Sequence, residues 1–162
     1  MWRTIRGQRV DDLREFLRAT LADGERRVDI GTDSLNFGRR TVLVTVVTLI
    51  RPGKGGRAVY KCEVTPRIAS LRQRLAREVG LSLEVAFGVG DALASATDLT
   101  IHVDANPAPE HRSSRFVHEL VGMVVGQGFR VAIKPQAWAA TCVADHIARI
   151  YASRERLRLR AA

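Results

Sequence analysis

Residues 26–50 read RRVDIGTDSLNFGRRTVLVTVVTLI, and this stretch decides the fold. Val28, Ile30 and Thr32 alternate with Asp29, Gly31 and Asp33, the two-residue period of a strand. LNFGRR turns the chain, and Thr41 to Arg51 follows as a long strand rich in Val and Thr. Two carboxylates therefore sit in a strand that enters an apolar sheet. A buried carboxylate is costly unless a cation, a hydrogen-bond donor or water meets it. What else reaches the same place decides what the strand is for.

Working outward, RPGKGGR is a glycine-rich hairpin loop carrying Lys54, and Ala58 to Val64 returns as a third strand. Upstream, VDDLREFLRATLA (10–22) puts Leu13, Phe16, Leu17 and Leu21 on one helical face, with Asp23-Gly24 as its stop. Downstream, Ile68 to Val79 and Leu81 to Ala94 read as helical, interrupted near Gly80. Leu99, Ile101 and Val103 alternate in a fourth strand, and NPAPEHRSS is a loop. Phe116, Val117, Leu120, Val121 and Val124 form a helical stripe closed by Gly126 and Gly128. Phe129, Val131 and Ile133 make a fifth strand, stopped by Pro135. Trp138 to about Arg156 is the last helix, followed by a frayed basic tail, RLRLRAA.

This order predicts an α/β domain with a mixed five-stranded sheet and helices on both faces. Three strands form an antiparallel meander. The last two arrive through helical crossovers and run parallel to the first. The whole chain reads as one domain: an N-terminal helix over 10–22, a core over 26–152 and a basic tail over 153–162. The edge of the third strand and the N-terminal helix offer surfaces for a homodimer.

The chain has 162 residues, enough for one real core, with 46% hydrophobic and 27% charged residues. No apolar run reaches the roughly 20 residues of a membrane helix. The start, MWRTIRGQRVDD, lacks a signal-peptide core, so a cytoplasmic location is expected. Net charge is +9, which favours polyanionic partners. Nearly all the basic excess is Arg, however, with Lys only at Lys54, Lys61 and Lys134, and such a bias also follows from coding composition. Cys62 and Cys142 lie in no CxxC pattern and read as structural thiols. His118-Glu119 begins an HExxH sequence, but Gly122 stands where the second His belongs, which excludes a zinc protease.

In such a sheet the first and fourth strands are parallel neighbours, and their carboxyl ends open on one edge, where α/β sheets place ligands. Asp33 and Asp104 lie at those ends, and Asp29 lies deeper on the Asp33 face. Glu84 belongs to the helix before the fourth strand. Asp145 lies in the last helix, turned away from the Val143/Ile147/Ile150 stripe. Taken singly, each reads equally as a turn cap or a solvated helix acid. Together they surround one point. Crowded carboxylates resist ionisation, and Mg²⁺ or Mn²⁺ reverses that balance. Two such ions about 4 Å apart activate water and stabilise the leaving oxygen in phosphodiester cleavage.

VDIGTDS, SLEVA, HVDAN and VADHIA, in that order, resemble the ribonuclease H-like fold. More closely, GTDS, the Val/Thr strand followed by RPGKGG, LSLEVA, IHVD, VGMVVGQGF and IKPQAWAATCVAD resemble the bacterial YkuK family over roughly residues 10 to 152. That family is ribonuclease H-like and poorly characterised in function. The resemblance implies a DEDD-type metal site on Asp33, Glu84, Asp104 and Asp145, with Glu78 competing with Glu84. Ribonucleases H often carry a mobile histidine before the last acid, and PQAWAATCV has none. His102, His111 and His146 are the substitutes.

The expected function is a Mg²⁺- or Mn²⁺-dependent nuclease acting on RNA or DNA through a two-metal site. Lys134, Arg112, Arg115 and Lys54 are the candidate phosphate contacts, and Trp138 is the one notable aromatic platform. A non-catalytic nucleic-acid-binding module on the same fold explains the charge equally. Asp29-Ile-Gly-Thr-Asp-Ser also resembles the first strand of Holliday-junction resolvase-like proteins, which would make Asp29 a metal ligand. The same motif resembles the phosphate loop of actin-like ATPases, but those normally need two such domains.

Overall fold

The computed structural model describes residues 1–22, 27–93 and 98–161. Asp23-Gly24, expected to stop the first helix, lies outside them. In chain order the elements are β1 (Trp2–Thr4), β2 (Arg9–Val10), α1 (Leu13–Ala22), β3 (Arg27–Phe37), β4 (Arg40–Arg51) and β5 (Gly55–Pro66). They continue with α2 (Leu71–Val89), β6 (Asp98–Val103), α3 (Val117–Val125), β7 (Arg130–Ala132) and α4 (Asp145–Ala161). Short 3₁₀ turns precede α3 and follow α2, and a π-helical turn, Ala139–Ala144, leads into α4.

The sheet has seven strands in the order β2-β1-β5-β4-β3-β6-β7, not the five expected. The meander β3–β4–β5 is antiparallel, and β6 and β7 are parallel additions. The two extra strands form an N-terminal hairpin on the β5 edge, where Arg3 and Thr4 pair with Tyr60 and Val59. Gly7, with φ +87°, makes its turn, and Thr4 exchanges backbone hydrogen bonds with Gly7 and Gln8. Strands of three and two residues are too short to display alternation, so they leave no periodic signal. Part of the edge expected to serve a homodimer is thus occupied by the chain itself.

β3 and β4 are buried on both faces, as central strands covered by helices must be. One face carries Val28, Ile30, Val47, Leu49, Ile101 and Val103 against Leu17 of α1, Leu75 and Val79 of α2, and Leu120 of α3. The other face carries Val42, Val44 and Val46 against Ala144, Ala148 and Ala152. Three alanines four apart let the last helix lie close to the sheet.

Two helical expectations need correction. α2 runs unbroken through Gly80, because Leu75, Val79, Leu83 and Ala86 hold one buried face on either side of it. A mid-helix glycine costs about 1 kcal/mol, less than that burial returns. α4 continues through the basic tail to Ala161 instead of fraying, since Arg and Leu are good helix formers. No helix among the described residues is long and apolar enough to cross a membrane.

Candidate active site

The register of the parallel pair β3–β6 creates the site. It runs from Arg27↔Asp98 to Thr32↔Val103. The next step carries Asp33 and Asp104. Partners in a parallel ladder share a face, so both carboxylates emerge together where β6 stops and β3 continues against β4 alone. The Lys134 amide donates to Ala105 O at 3.1 Å, which ties the segment after β7 to the one after β6. Ser113 Oγ accepts from the Asn106 amide at 3.1 Å and folds the loop back on itself. A cavity of about 400 Å³ results, walled by Asp33, Ser34, Arg74, Glu78, Asp104, Glu110–Ser113 and Lys134.

The electrostatics are those of crowded acids. Burial and the neighbouring Asp104 push Asp33 up to about 7, with Asp145 adding to the rise, while the Ser34 amide and Arg74 oppose it. Glu78, 4% exposed, is raised well above the usual carboxylate range by burial and by Asp33. Ser34 Oγ donates to Glu78 Oε1 at 2.5 Å, and Arg74 Nη1 donates to Ser34 O at 3.1 Å. Lys134 Nζ lies 2.6 Å from Asp104 Oδ1. Its approach is off the hydrogen-bonding direction, and this buried oxygen has no hydrogen bond. Asp145 opens α4, and its two oxygens both accept from Arg149 Nε at 2.8 Å. It acts on Asp33 through its charge and does not line the cavity.

The carboxylate oxygens of Asp33, Glu78 and Asp104 suit a hard divalent cation in kind, with Arg74, Arg112 and Lys134 sharing the wall. The side chains are not drawn into a closed cage, however. Among the described residues no three His, Cys, Asp or Glu side chains form a ready-made metal site. A cation would have to displace Lys134 from Asp104 and pull the acids inward.

The sequence model of the ribonuclease H-like family matches residues 8–149. The chain belongs to the ribonuclease H-like family. It is also 27% identical over 150 aligned positions to an uncharacterised protein, YkuK, of Bacillus subtilis (strain 168), a match covering 83% of this chain and 87% of that one. No solved structure matches the chain. Membership puts the chain on a fold of the nuclease and nucleic-acid-binding kind.

Within this ribonuclease H-like domain the expected residues separate. Asp33, Asp104, Lys134 and Arg112 wall one cavity, and His111 joins them. Glu84 does not. It is exposed, pairs with Arg77 at 3.2 Å and faces a different cavity beside Trp2 and Asp11. Glu78, six residues earlier and so about 120° around the helix, reaches Asp33 instead. Its signal was in the sequence: Leu71, Leu75 and Glu78 share one helical stripe, so a carboxylate stands on a buried face. Ser34 and Arg74, which hold Glu78, carried no signal of their own.

Arg115 lies over the Phe116 ring, 4.8 Å from its centroid, outside the cavity wall. Lys54 sits in the β4–β5 turn, about 24 Å or more from Asp33 at roughly 3.4 Å per residue along β4, so it cannot contact the same phosphate. Asp29 is fully buried, with Arg27 Nε 2.9 Å and His102 Nε2 3.4 Å from its Oδ1. Burial opposes its ionisation, but His102 and Arg27 outweigh this and hold it below the usual carboxylate range. Asp29 Oδ1 thus has its partners, Oδ2 is buried without a hydrogen bond, and the residue does not line the Asp33 cavity. His102 Nδ1 accepts from the Ala139 amide at 3.1 Å, which makes this histidine structural, and His146 is exposed on α4.

Proposed function

We propose that this protein is a nuclease dependent on Mg²⁺ or Mn²⁺, with Asp33, Asp104 and Glu78 as its central acids and Asp145 at their margin. The observation that carries the reading is that Asp33 and Asp104, one step beyond the end of the β3–β6 ladder, wall one cavity with Glu78 and act on one another through their charge. Asp33 and Asp104 would hold the cation, and Glu78 and Asp145 would close the set. A bound divalent ion supplies an activated water and stabilises the leaving oxygen.

The chain's own side chains do the rest. Arg112 and Arg74 on the wall would bind the phosphate and orient the scissile bond. Glu78 Oε1 accepts from Ser34 Oγ, which fixes its carboxyl beside Asp33. Lys134 neutralises Asp104 before a cation arrives and is free to move to phosphate afterwards.

The test is cleavage of fluorescent RNA and DNA oligonucleotides in Mn²⁺, Mg²⁺ or EDTA. Cutting in Mn²⁺ should vanish in EDTA and fall by about a thousand-fold in Asp33→Asn and in Asp104→Asn, the scale of a lost transition-state charge contact. The Lys134–Asp104 pair and the open spacing of the acids favour a second reading, a nucleic-acid-binding module without catalysis. Oligonucleotides bound but left uncut in both ions would establish that reading and sink the first.

A further inference from the structure

A cavity of about 1020 Å³ lies toward the opposite end of β4. It is formed by the β1–β2 turn, the β4–β5 turn, α1 and the approach to α4. Ile5, Phe16 and Trp138 contribute apolar and aromatic surface, and Arg6, Arg51 and Arg57 contribute positive charge. No acid stands among the described lining residues. Phe16 and Trp138 are half-buried, and Ile5 is 55% exposed. Trp138 is braced by an edge-to-face contact with His102, ring centroids 6.0 Å apart, so its ring is held in place.

Glycine shapes the hairpin that forms one wall: a Cβ on Gly56 would lie 2.5 Å from Leu49 O of the neighbouring strand, and Gly53 turns with φ +75°. Aromatic rings beside guanidinium groups, with glycine backbone at the rim, match bases linked by phosphates. Bases stack on the rings and phosphates pair with arginine. An apolar peptide would use the rings but offer no counter-charge to Arg6 and Arg51.

We infer that this cavity is a second binding site for single-stranded nucleic acid, with bases on Trp138 and Phe16 and phosphates at Arg6 and Arg51. The inference rests on the nucleic-acid reading of the Asp33 cavity. It adds an anchor whose Arg51 lies about 24 Å from Asp33 along β4, at roughly 3.4 Å per residue, with Trp138 between the two. A strand held at both ends of the sheet would be presented to the acids at a set distance from the anchor.

Fluorescence anisotropy tests it, with a labelled oligothymidylate or oligouridylate of about ten nucleotides, long enough at about 3.4 Å each to span the two cavities. EDTA prevents cleavage. Arg6→Ala/Arg51→Ala should weaken binding about ten-fold at low salt and reduce the slope of log K against log salt by about 1.4, two released counterions at about 0.7 each. Trp138→Leu should also weaken binding about ten-fold, and Trp138→Phe should restore most of it, the pattern of ring stacking. The surface arginine pair keeps the test decisive if the Trp138 variants fail to fold.

Wild-type binding that the arginine pair leaves unchanged in strength and salt slope overturns this inference and spares the proposed function. A mononucleotide competing as well as the oligomer, mole for mole, overturns it too, since the occupant is then not a strand. Wild-type protein that binds no oligonucleotide overturns both readings.

Discussion

At one end of β3 and β4 the cavity wall carries Asp33, Glu78 and Asp104; at the other it carries Arg6, Arg51, Arg57 and Trp138. The two ends are also built differently. The acid end gathers groups from β3, α2 and β6, remote in sequence, and Asp33 and Glu78 are buried. The basic end is made largely from two hairpin turns, and Arg6 and Arg57 are exposed. Buried like charges raise one another's proton affinity and call for a counter-cation. Solvated arginines do not disturb one another in this way and attract a polyanion. One sheet thus offers two chemistries because both the residues and their burial differ between its ends.

The sharpest way to break the comparison is inside the acid end. Glu78→Gln should reduce Mn²⁺-dependent cleavage by about a hundred-fold, in the range of removing one charged group from a transition state. Glu84→Gln, on the exposed side of the same helix, should leave the rate unchanged. Equal losses in the two variants would show that the Glu78 side of α2 has no special part in the chemistry.

The next effect is on stability. Asp33 is an acid whose folded value, about 7, lies above its ordinary 3.8. The folded state then binds its proton more tightly than the unfolded chain, so this contribution is present at low pH and is lost as pH rises through about 7. In EDTA, Tm should drop between pH 5.5 and pH 8, and Asp33→Asn should remove part of the drop, on the order of 5 °C. Mn²⁺ at pH 8 should restore wild-type Tm and not that of the variant. A flat wild-type profile measured by calorimetry would remove Asp33 from the crowded acids.

The smallest effect sharpens the basic end. Lys54 is exposed in the β4–β5 turn but is not part of the cavity wall. Lys54→Ala should weaken oligonucleotide binding less than about three-fold in the anisotropy assay, against the loss expected for the arginine pair, as one distant solvated charge is largely screened. A loss equal to that of the arginine pair would move the phosphate path onto the outside of the turn.

Much of this was legible in residues 26–50 and their partners. Alternation marked β3, β4 and β5, and the parallel-neighbour argument put Asp33 and Asp104 on one edge, where one cavity wall holds both, one step past the end of the ladder. The N-terminal hairpin was not legible, because two or three residues show no period. The Gly80 break was a local propensity that tertiary burial overrode. Glu84 entered through the resemblance of LSLEVA, with Glu78 as its competitor; the Leu71/Leu75/Glu78 stripe separates the two, and packing adds that Ser34, itself held by Arg74, receives Glu78 inside.

The hairpin of β1 and β2 also guards a boundary. β5 is otherwise a twelve-residue strand with amide and carbonyl groups directed outward, the kind of template on which another chain adds itself. Removing the first ten residues would bare that template at Val59 and Tyr60 while deleting Arg6. Self-association and loss of nucleic-acid affinity would then appear together from a single truncation.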